Sequence, residues 1–450
     1  MIDTCSSHNP AAALLEPEEA AARPASKTVE TRPRRLLLCL DGVPLEVIKE
    51  AKARGLFDNF REPARLLSPF PTVTNVALAE MLKATPPQGY ESLYFDRDER
   101  RLAGGVRKYL GRRTPDKIPS SYMDELDYQE PLHFEFLIYV ATDAVWRADM
   151  RRFRERFRAA PAGRDFFAFL KATDGLLHRR GPRHLQVALE SLDRILLDVQ
   201  AACGAGTEIV MFSDHGMNLE ENRRVHLQTF LKRGGFEVVG EMRGRVREGR
   251  RPRVSAPAFG LCGYAALYCG EESDAGEVAG ALGALEGVDF SVRRDEEGSG
   301  VIVEGSRGRA RIRRREDEAG ACSYAYEQLA GDPLRLASVA RAIEAEGLTD
   351  AEGFAPDAAW LARTAEHEYP DALANLHGSL HAPRVRQTAD VLVSLRDGYY
   401  YGATAFTHMI RLLATHGNAL RPSTTAFLMS THRDFPAHVR AADARPFLKE

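Results

Sequence analysis

The chain has 450 residues, 44% of them hydrophobic, enough for a large buried core and for two or three domains. Its 61 basic and 64 acidic residues leave a net charge of −3, a balance that calls for no nucleic-acid polymer as partner. Six cysteines without a CxxC pair indicate neither a disulfide framework nor a cysteine zinc site. No apolar run is long enough to span a membrane, and the start lacks the apolar core of a signal peptide, so the expectation is a soluble cytoplasmic protein.

Residues 1–33, rich in Ala, Glu and Pro, read as a flexible tail ahead of one large unit over 34–450. Arg35-Leu-Leu-Leu-Cys-Leu is a buried strand that ends on Asp41-Gly42. A helix over Val47–Phe60 and a short strand over Ala64–Phe70 follow. Pro71-Thr72-Val73-Thr74-Asn75 then precedes a helix over Val76–Lys83, with Thr74 and Asn75 in the N-cap position. Residues 87–160 are less regular and read either as a surface excursion or as a lid, with a helix over Ala144–Arg158. Phe166 to Thr173 reads as a second strand ending on a carboxylate, Asp174, with Gly175-Leu-Leu-His178 after it. A helix from Arg183 to about Ala202 leads into Glu208-Ile-Val-Met-Phe-Ser213, a third apolar strand that stops on Asp214-His215-Gly216-Met217.

From about 231 to 330 the pattern changes to short β-like pieces around a helix near Ala275–Leu285, which predicts a small inserted α+β subdomain. The run Arg243–Arg253 reads as a solvated basic loop. An acidic helical region over 330–375 returns the chain, Thr388–Leu395 gives another strand, and Thr415-His416-Gly417-Asn418 precedes the last strand, Thr424–Met429. Alternating strands and helices with polar residues at the strand ends predict an α/β fold built on a mainly parallel, doubly wound sheet. Ligands in such sheets bind just beyond the carboxyl ends of the strands.

Collected at that edge are Asp41, Thr74, Asp174, His178, Asp214, His215 and His416. Carboxylate and imidazole without thiolate suit catalytic zinc, with manganese or iron as alternatives. Six such ligands exceed one tetrahedral ion and suit two, which together can clamp the attacking and leaving oxygens of a phosphoryl displacement. A hydroxyl beside them gains a role, since metal coordination turns a weak alcohol into a nucleophile. The helix after Thr74 directs free N–H groups at a phosphate, and Asn75 could add a side-chain donor.

The order Asp41-Gly42, Pro71-Thr-Val-Thr74, Asp174-x-x-x-His178-x-x-Gly181-Pro182, Ser213-Asp-His-Gly-Met217 and Thr415-His-Gly417 resembles the type I phosphodiesterase/nucleotide pyrophosphatase branch of the alkaline phosphatase superfamily. The resemblance spans about residue 34 to the end and implies an alkaline-phosphatase-like fold. It also implies two Zn2+ ions, one held by Asp174, His178 and His416 and the other by Asp41, Asp214 and His215. Thr74 would be the nucleophile, forming a covalent phospho- or nucleotidyl-enzyme. The substrate would be a small phosphodiester or phosphoanhydride. The alternatives are a phosphomonoesterase or phosphotransferase on the same centre, or a non-catalytic member of the fold. No Cys-x-Pro-x-Arg or Ser-x-Pro-x-Arg is present, which disfavours a sulfatase. Asn75-Val-Ala-Leu78 stands where the family usually has Phe-Pro-Asn-His, and Gly89-Tyr90 where it has His-Gly; both changes fall on the leaving-group side. No Arg or Lys within these motifs is placed beside the metals, which favours the singly charged diester. His184 and Tyr90 read as supporting or substrate contacts. His226, His377, His381 and His408 read as unremarkable, with a minor site at His377 and His381 as the alternative.

Overall fold

A computed structural model describes residues 35–105, 120–131, 137, 141–161, 163–204, 206–242, 251–403 and 411–449. The expected tail over 1–33, most of the basic run 243–253, and His408 lie outside the described residues.

The first sheet has seven strands. In spatial order they are His438–Arg440, Ala64–Leu67, Thr425–Ser430, Glu208–Ser213, Arg35–Leu40, Phe166–Leu170 and Tyr128–Gln129. All run parallel except Thr425–Ser430, which is antiparallel to both neighbours. Period-2 alternation sends the side chains to two different cores. Leu36, Leu38 and Leu40 pack with Ile209 and Met211 against the helices Leu45–Ala53, Thr142–Arg158 and Pro182–Cys203. Leu37 and Cys39 pack with Val210 and Phe212 on the other face, under Ala77, Leu78 and Met81 of the helix Thr74–Met81. Because both faces are covered, these strands read as unbroken apolar runs. The fold is thus α/β and doubly wound, as the sequence predicts.

The second sheet has nine strands, in the order Ala355–Pro356, Cys322–Gly331, Gly308–Glu316, Val301–Gly305, Val288–Arg294, Val391–Leu395, Tyr264–Cys269, Arg253–Ser255 and Glu237–Val238. It is antiparallel except for its last pair. Its strands run from Glu237 to Leu395, so this sheet reaches beyond the expected 231–330. One of its faces packs on the helices Asp357–Thr364 and Ala372–His381 and on Phe70, Val73 and Val76, the segment around Thr74.

One sequence reading is corrected here, and one strand not singled out from the sequence is added. Phe166–Leu170 ends four residues before Asp174, which lies instead in the first turn of a helix, Ala172–Arg180. Cys322–Gly331, ahead of the returning helices, is a ten-residue strand paired along Gly308–Glu316. No helix among the described residues is long and apolar enough to cross a membrane.

Candidate metal centre

The centre forms where three parallel strands and one helix end together. Arg35–Leu40 is flanked by Phe166–Leu170 and Glu208–Ser213 in register, so Leu40 lies beside both Leu170 and Ser213. The next residue of the central strand is Asp41. Its amide donates to the Leu170 carbonyl (3.1 Å) and its own carbonyl accepts from Thr173 Oγ1 (2.7 Å). Asp214 follows Ser213 on one side. On the other, the helix Ala172–Arg180 stacks Asp174 and His178 one turn apart, the i,i+4 relation that brings side chains together.

Gly42 lies between the two halves. Its φ is +71°, and a Cβ there would meet Met217 Cε at 3.0 Å, Asp174 Oδ1 at 3.2 Å and His215 Cε1 at 3.5 Å. Only glycine combines that backbone conformation with that approach. The Gly42 amide donates to Asp214 Oδ1 (3.1 Å) and fixes one oxygen of that carboxylate.

The ligand atoms converge in two groups, Asp174–His178–His416 and Asp41–Asp214–His215, each with its atoms within 4.8 Å of one another. The groups touch: the rings of His215 and His416 stack at 4.0 Å with a 19° interplanar angle. Each imidazole is oriented by a backbone carbonyl at Nδ1: Ala414 for His178 (2.7 Å), Gly216 for His215 (2.9 Å) and Thr72 for His416 (2.8 Å). An Nδ1–H donated to a carbonyl makes Nε2 the ligand atom, the outer-shell arrangement of metal-binding histidines. The Nε2 atoms face carboxylates, His178 to Asp174 Oδ1 at 3.1 Å, His416 to the same oxygen at 3.6 Å, and His215 to Asp41 Oδ1 at 3.6 Å.

Three oxygens, Asp41 Oδ2, Asp174 Oδ1 and Asp214 Oδ2, are buried without a hydrogen-bond partner among the described residues. Buried orphan carboxylate oxygens are costly unless a cation faces them. Burial, then Asp214 and Asp174, pushes the Asp41 carboxyl well above the usual range, and burial pushes Asp214 up to about 6. Burial holds His215 down to about 4 and, with the His215 charge, His416 down to about 3. Against burial, His178, His416 and His215 keep Asp174 below the usual range. The site is short of positive charge, and bare imidazole nitrogens beside clustered carboxylates are a donor set that fits divalent metal.

Thr74 Oγ1 lies 3.3 Å from both Asp41 Oδ1 and His215 Nε2. Thr74 opens its helix, with Val73 as the N-cap. The Val76 and Ala77 amides bond back to the Val73 carbonyl, so the Thr74 and Asn75 amides are left at the open end of the helix. All seven residues singled out from the sequence meet here, with Asn75 beside them.

Sequence reasoning missed two contributors. Tyr122 donates its hydroxyl to Asn75 Oδ1 (2.7 Å), which leaves the amide NH2 as the free end of that side chain. Lys171, just before the helix Ala172–Arg180, is near enough for its charge to counter the rise of Asp41. It lies outside every motif segment, so the expectation about cations within the motifs does not cover it, and it gave no signal beyond its position three residues before Asp174. His184 pairs with Asp143 (2.6 Å), and Tyr90 is buried edge-on against Tyr264 with ring centres 6.1 Å apart.

Two carboxylate–imidazole groups at the strand ends of a doubly wound sheet define a metal-dependent hydrolase of the α/β class. The chain belongs to the type I phosphodiesterase/nucleotide pyrophosphatase family: the family's profile matches residues 92–318, half of the chain. The match takes in Asp174, His178, Asp214 and His215; Asp41, Thr74 and His416 lie outside it. The protein is therefore an enzyme, a phosphodiesterase/nucleotide pyrophosphatase-like hydrolase. Among solved structures it is similar to phosphonoacetate hydrolase from Sinorhizobium meliloti in complex with phosphonoformate (14% identity, TM-score 0.49, covering 93% of this chain and 95% of that one). It is also similar to human ectonucleotide pyrophosphatase/phosphodiesterase 5 (11% identity, TM-score 0.47, 92% and 93%). No curated protein matches the sequence.

Proposed function

We propose that the chain hydrolyses phosphodiester or phosphoanhydride bonds of small substrates, with Thr74 as nucleophile on a two-metal centre. The observation that carries this reading is one hydroxyl, Thr74 Oγ1, within 3.3 Å of a group of three ligands that stacks directly on a second such group. Asp41, Asp214 and His215 would hold one zinc and Asp174, His178 and His416 the other; manganese or iron suits the same donors. Bound ions supply Lewis-acid charge, which lowers the pKa of the alcohol and offsets charge on the phosphoryl oxygens.

The residues themselves do the positioning. Asp41 and His215 hold the Thr74 oxygen at the helix mouth. The Thr74 and Asn75 amides and the Asn75 NH2, set by Tyr122, face developing phosphoryl charge. The Thr74 oxygen gives up its proton and attacks phosphorus, the bond from phosphorus to the leaving oxygen breaks, and the leaving group departs with a proton. Water then attacks the phosphoryl group on Thr74, and the threonine oxygen leaves with a proton.

A phosphomonoesterase or phosphotransferase is the second reading. Lys171 favours it, because a dianionic monoester gains more from an added cation. A panel of aryl esters on metal-replete protein separates the two. The expected outcome is a higher kcat/KM for bis-p-nitrophenyl phosphate than for p-nitrophenyl phosphate. A preference for the monoester of about tenfold, equivalent to about 1.4 kcal/mol in the transition state, establishes the second reading instead.

A further inference from the structure

A second cleft, of about 380 Å3, opens between the two sheets, and none of the seven centre residues lines it. It is bounded by Leu67–Pro69, by the helix Ala372–His381, and by the cross-strand neighbours Arg314 and Tyr324. Its volume falls within the roughly 300–1,000 Å3 typical of small-molecule sites.

Hydrogen-bond capacity shows what the cleft can hold. Arg440 is spent on Asp357 and Asp371. Arg384 gives Nε to Glu80 (3.0 Å) and Nη1 to the Phe70 and Asn375 oxygens; its Nη2 makes no hydrogen bond among the described residues. Among the described residues Arg314 uses only Nη2, on Glu316 and Cys322 Sγ. Tyr324 is 6% exposed, and its hydroxyl makes no hydrogen bond among the described residues. His377 and His381 stack at 4.3 Å and 19°, with Nε2 on the consecutive carbonyls of Ser299 (3.0 Å) and Gly300 (3.1 Å). Those bonds fix both tautomers and leave two Nδ1 lone pairs.

Two guanidinium edges and a phenol need an acceptor-rich anion, while two imidazole lone pairs need a donor. A carboxylate meets only the first need. Hydrogen phosphate, with three acceptor oxygens and one O–H, meets both.

We propose that this cleft is a second ligand site for a compact oxyanion of the phosphate class, held by Arg314, Arg384, Tyr324 and the His377–His381 pair. The proposal stands apart from the metal centre and does not rest on the mechanism above. The cleft does touch that machinery: Arg384 and Asn375 in its wall hold the Phe70 backbone, and Glu80 lies on the helix that Thr74 opens.

Equilibrium dialysis with radiolabelled inorganic phosphate, on metal-replete and on chelated protein, tests it. The metal-replete chain is expected to bind two phosphates and the chelated chain one. Arg314→Leu and Tyr324→Phe should each weaken the chelator-resistant site about tenfold, the loss of about 1.4 kcal/mol, while keeping metal content and turnover. Tyr324→Phe removes a single oxygen and serves where Arg314→Leu does not fold. Phosphate binding that disappears with the metal, or a resistant site indifferent to Tyr324→Phe, overturns the proposal.

Discussion

Thr72 and Thr74 lie two residues apart and do different work. Thr72 Oγ1 accepts from the Gly417 amide (2.8 Å) and donates to the Asn418 carbonyl (3.2 Å), while its carbonyl takes His416 Nδ1. It braces the loop that carries His416. Thr74 points its oxygen at Asp41 and His215. Thr74→Ala is expected to keep fold and metals while losing roughly 10³-fold or more in kcat, the scale of removing a covalent nucleophile. Thr72→Ala should keep a substantial fraction of the rate and lose about 1–3 kcal/mol of stability, the cost of orphaning a buried partner. Acid-quench peptide mapping should place the phosphoryl group on Thr74; a Thr74→Ala enzyme of near wild-type rate would falsify the assignment. Glu91 offers a pH test. Burial lifts its carboxyl from the ordinary 4.5 to about 7, with Cys262 Sγ 3.5 Å away. A raised folded pKa means this contribution to stability is full below the unfolded value and is lost as pH rises through about 7. Glu91→Gln should therefore gain on the wild type in melting temperature between pH 5 and pH 8; parallel curves would show that Glu91 ionises freely in the fold. Asp41, Asp214 and His215 were legible because they are ligand types at the abrupt end of an apolar run, and Thr74, Asp174, His178 and His416 because they stand in motifs ordered along the same sequence. Lys171 and Tyr122 were not, because their roles come from proximity in space and no spacing announces it.

At the scale of elements, legibility followed burial. Arg35–Leu40 and Glu208–Ser213 are covered on both faces and read as plain apolar runs. Leu38, fully buried between them and their helices, is a direct probe: Leu38→Ala should cost about 2–5 kcal/mol, read from denaturant unfolding of metal-replete protein. A loss under about 1 kcal/mol would mean that the core there collapses around the gap. Where apolar residues run on past a strand end, periodicity gives no stop signal, and Asp174 was assigned to a strand end instead of a helix turn. The correction strengthens the chemistry, since one helical turn stacks Asp174 directly on His178. The strand Cys322–Gly331, paired with Gly308–Glu316 in a hairpin, went unrecognised for another reason. The hairpin's outer halves carry exposed Arg314 and Arg315 and are held by pairing to each other, which one strand's own sequence does not display.

At the scale of the whole molecule, the metal centre is a long-range tie. Its ligands come from the end of Arg35–Leu40, the helix Ala172–Arg180, the end of Glu208–Ser213 and the loop at His416. The last of these is joined to the nucleophile segment by the His416–Thr72 bond. Without cations this junction holds three carboxyl groups with orphan oxygens beside His215 and His416, which burial keeps from charging, while against burial Asp174 raises His178, so the folded chain carries an electrostatic cost that the unfolded chain lacks. Anything that binds the folded form alone stabilises it by mass action, by about 4 kcal/mol at a thousandfold excess over Kd. Metal analysis after reconstitution should therefore approach about two equivalents per chain, as expected of a dinuclear site. Chelation should lower the melting temperature by several degrees, and zinc should restore it. Asp214→Asn should drop the content by one ion and recover less of the lost stability, because the neutral amide is a poor ligand in place of a carboxylate. Both readouts are independent of turnover. A chain that holds no more than one ion at saturating metal, and melts identically with and without chelator, would reduce the six ligands to a buried polar cluster and remove the basis for a metal-activated Thr74.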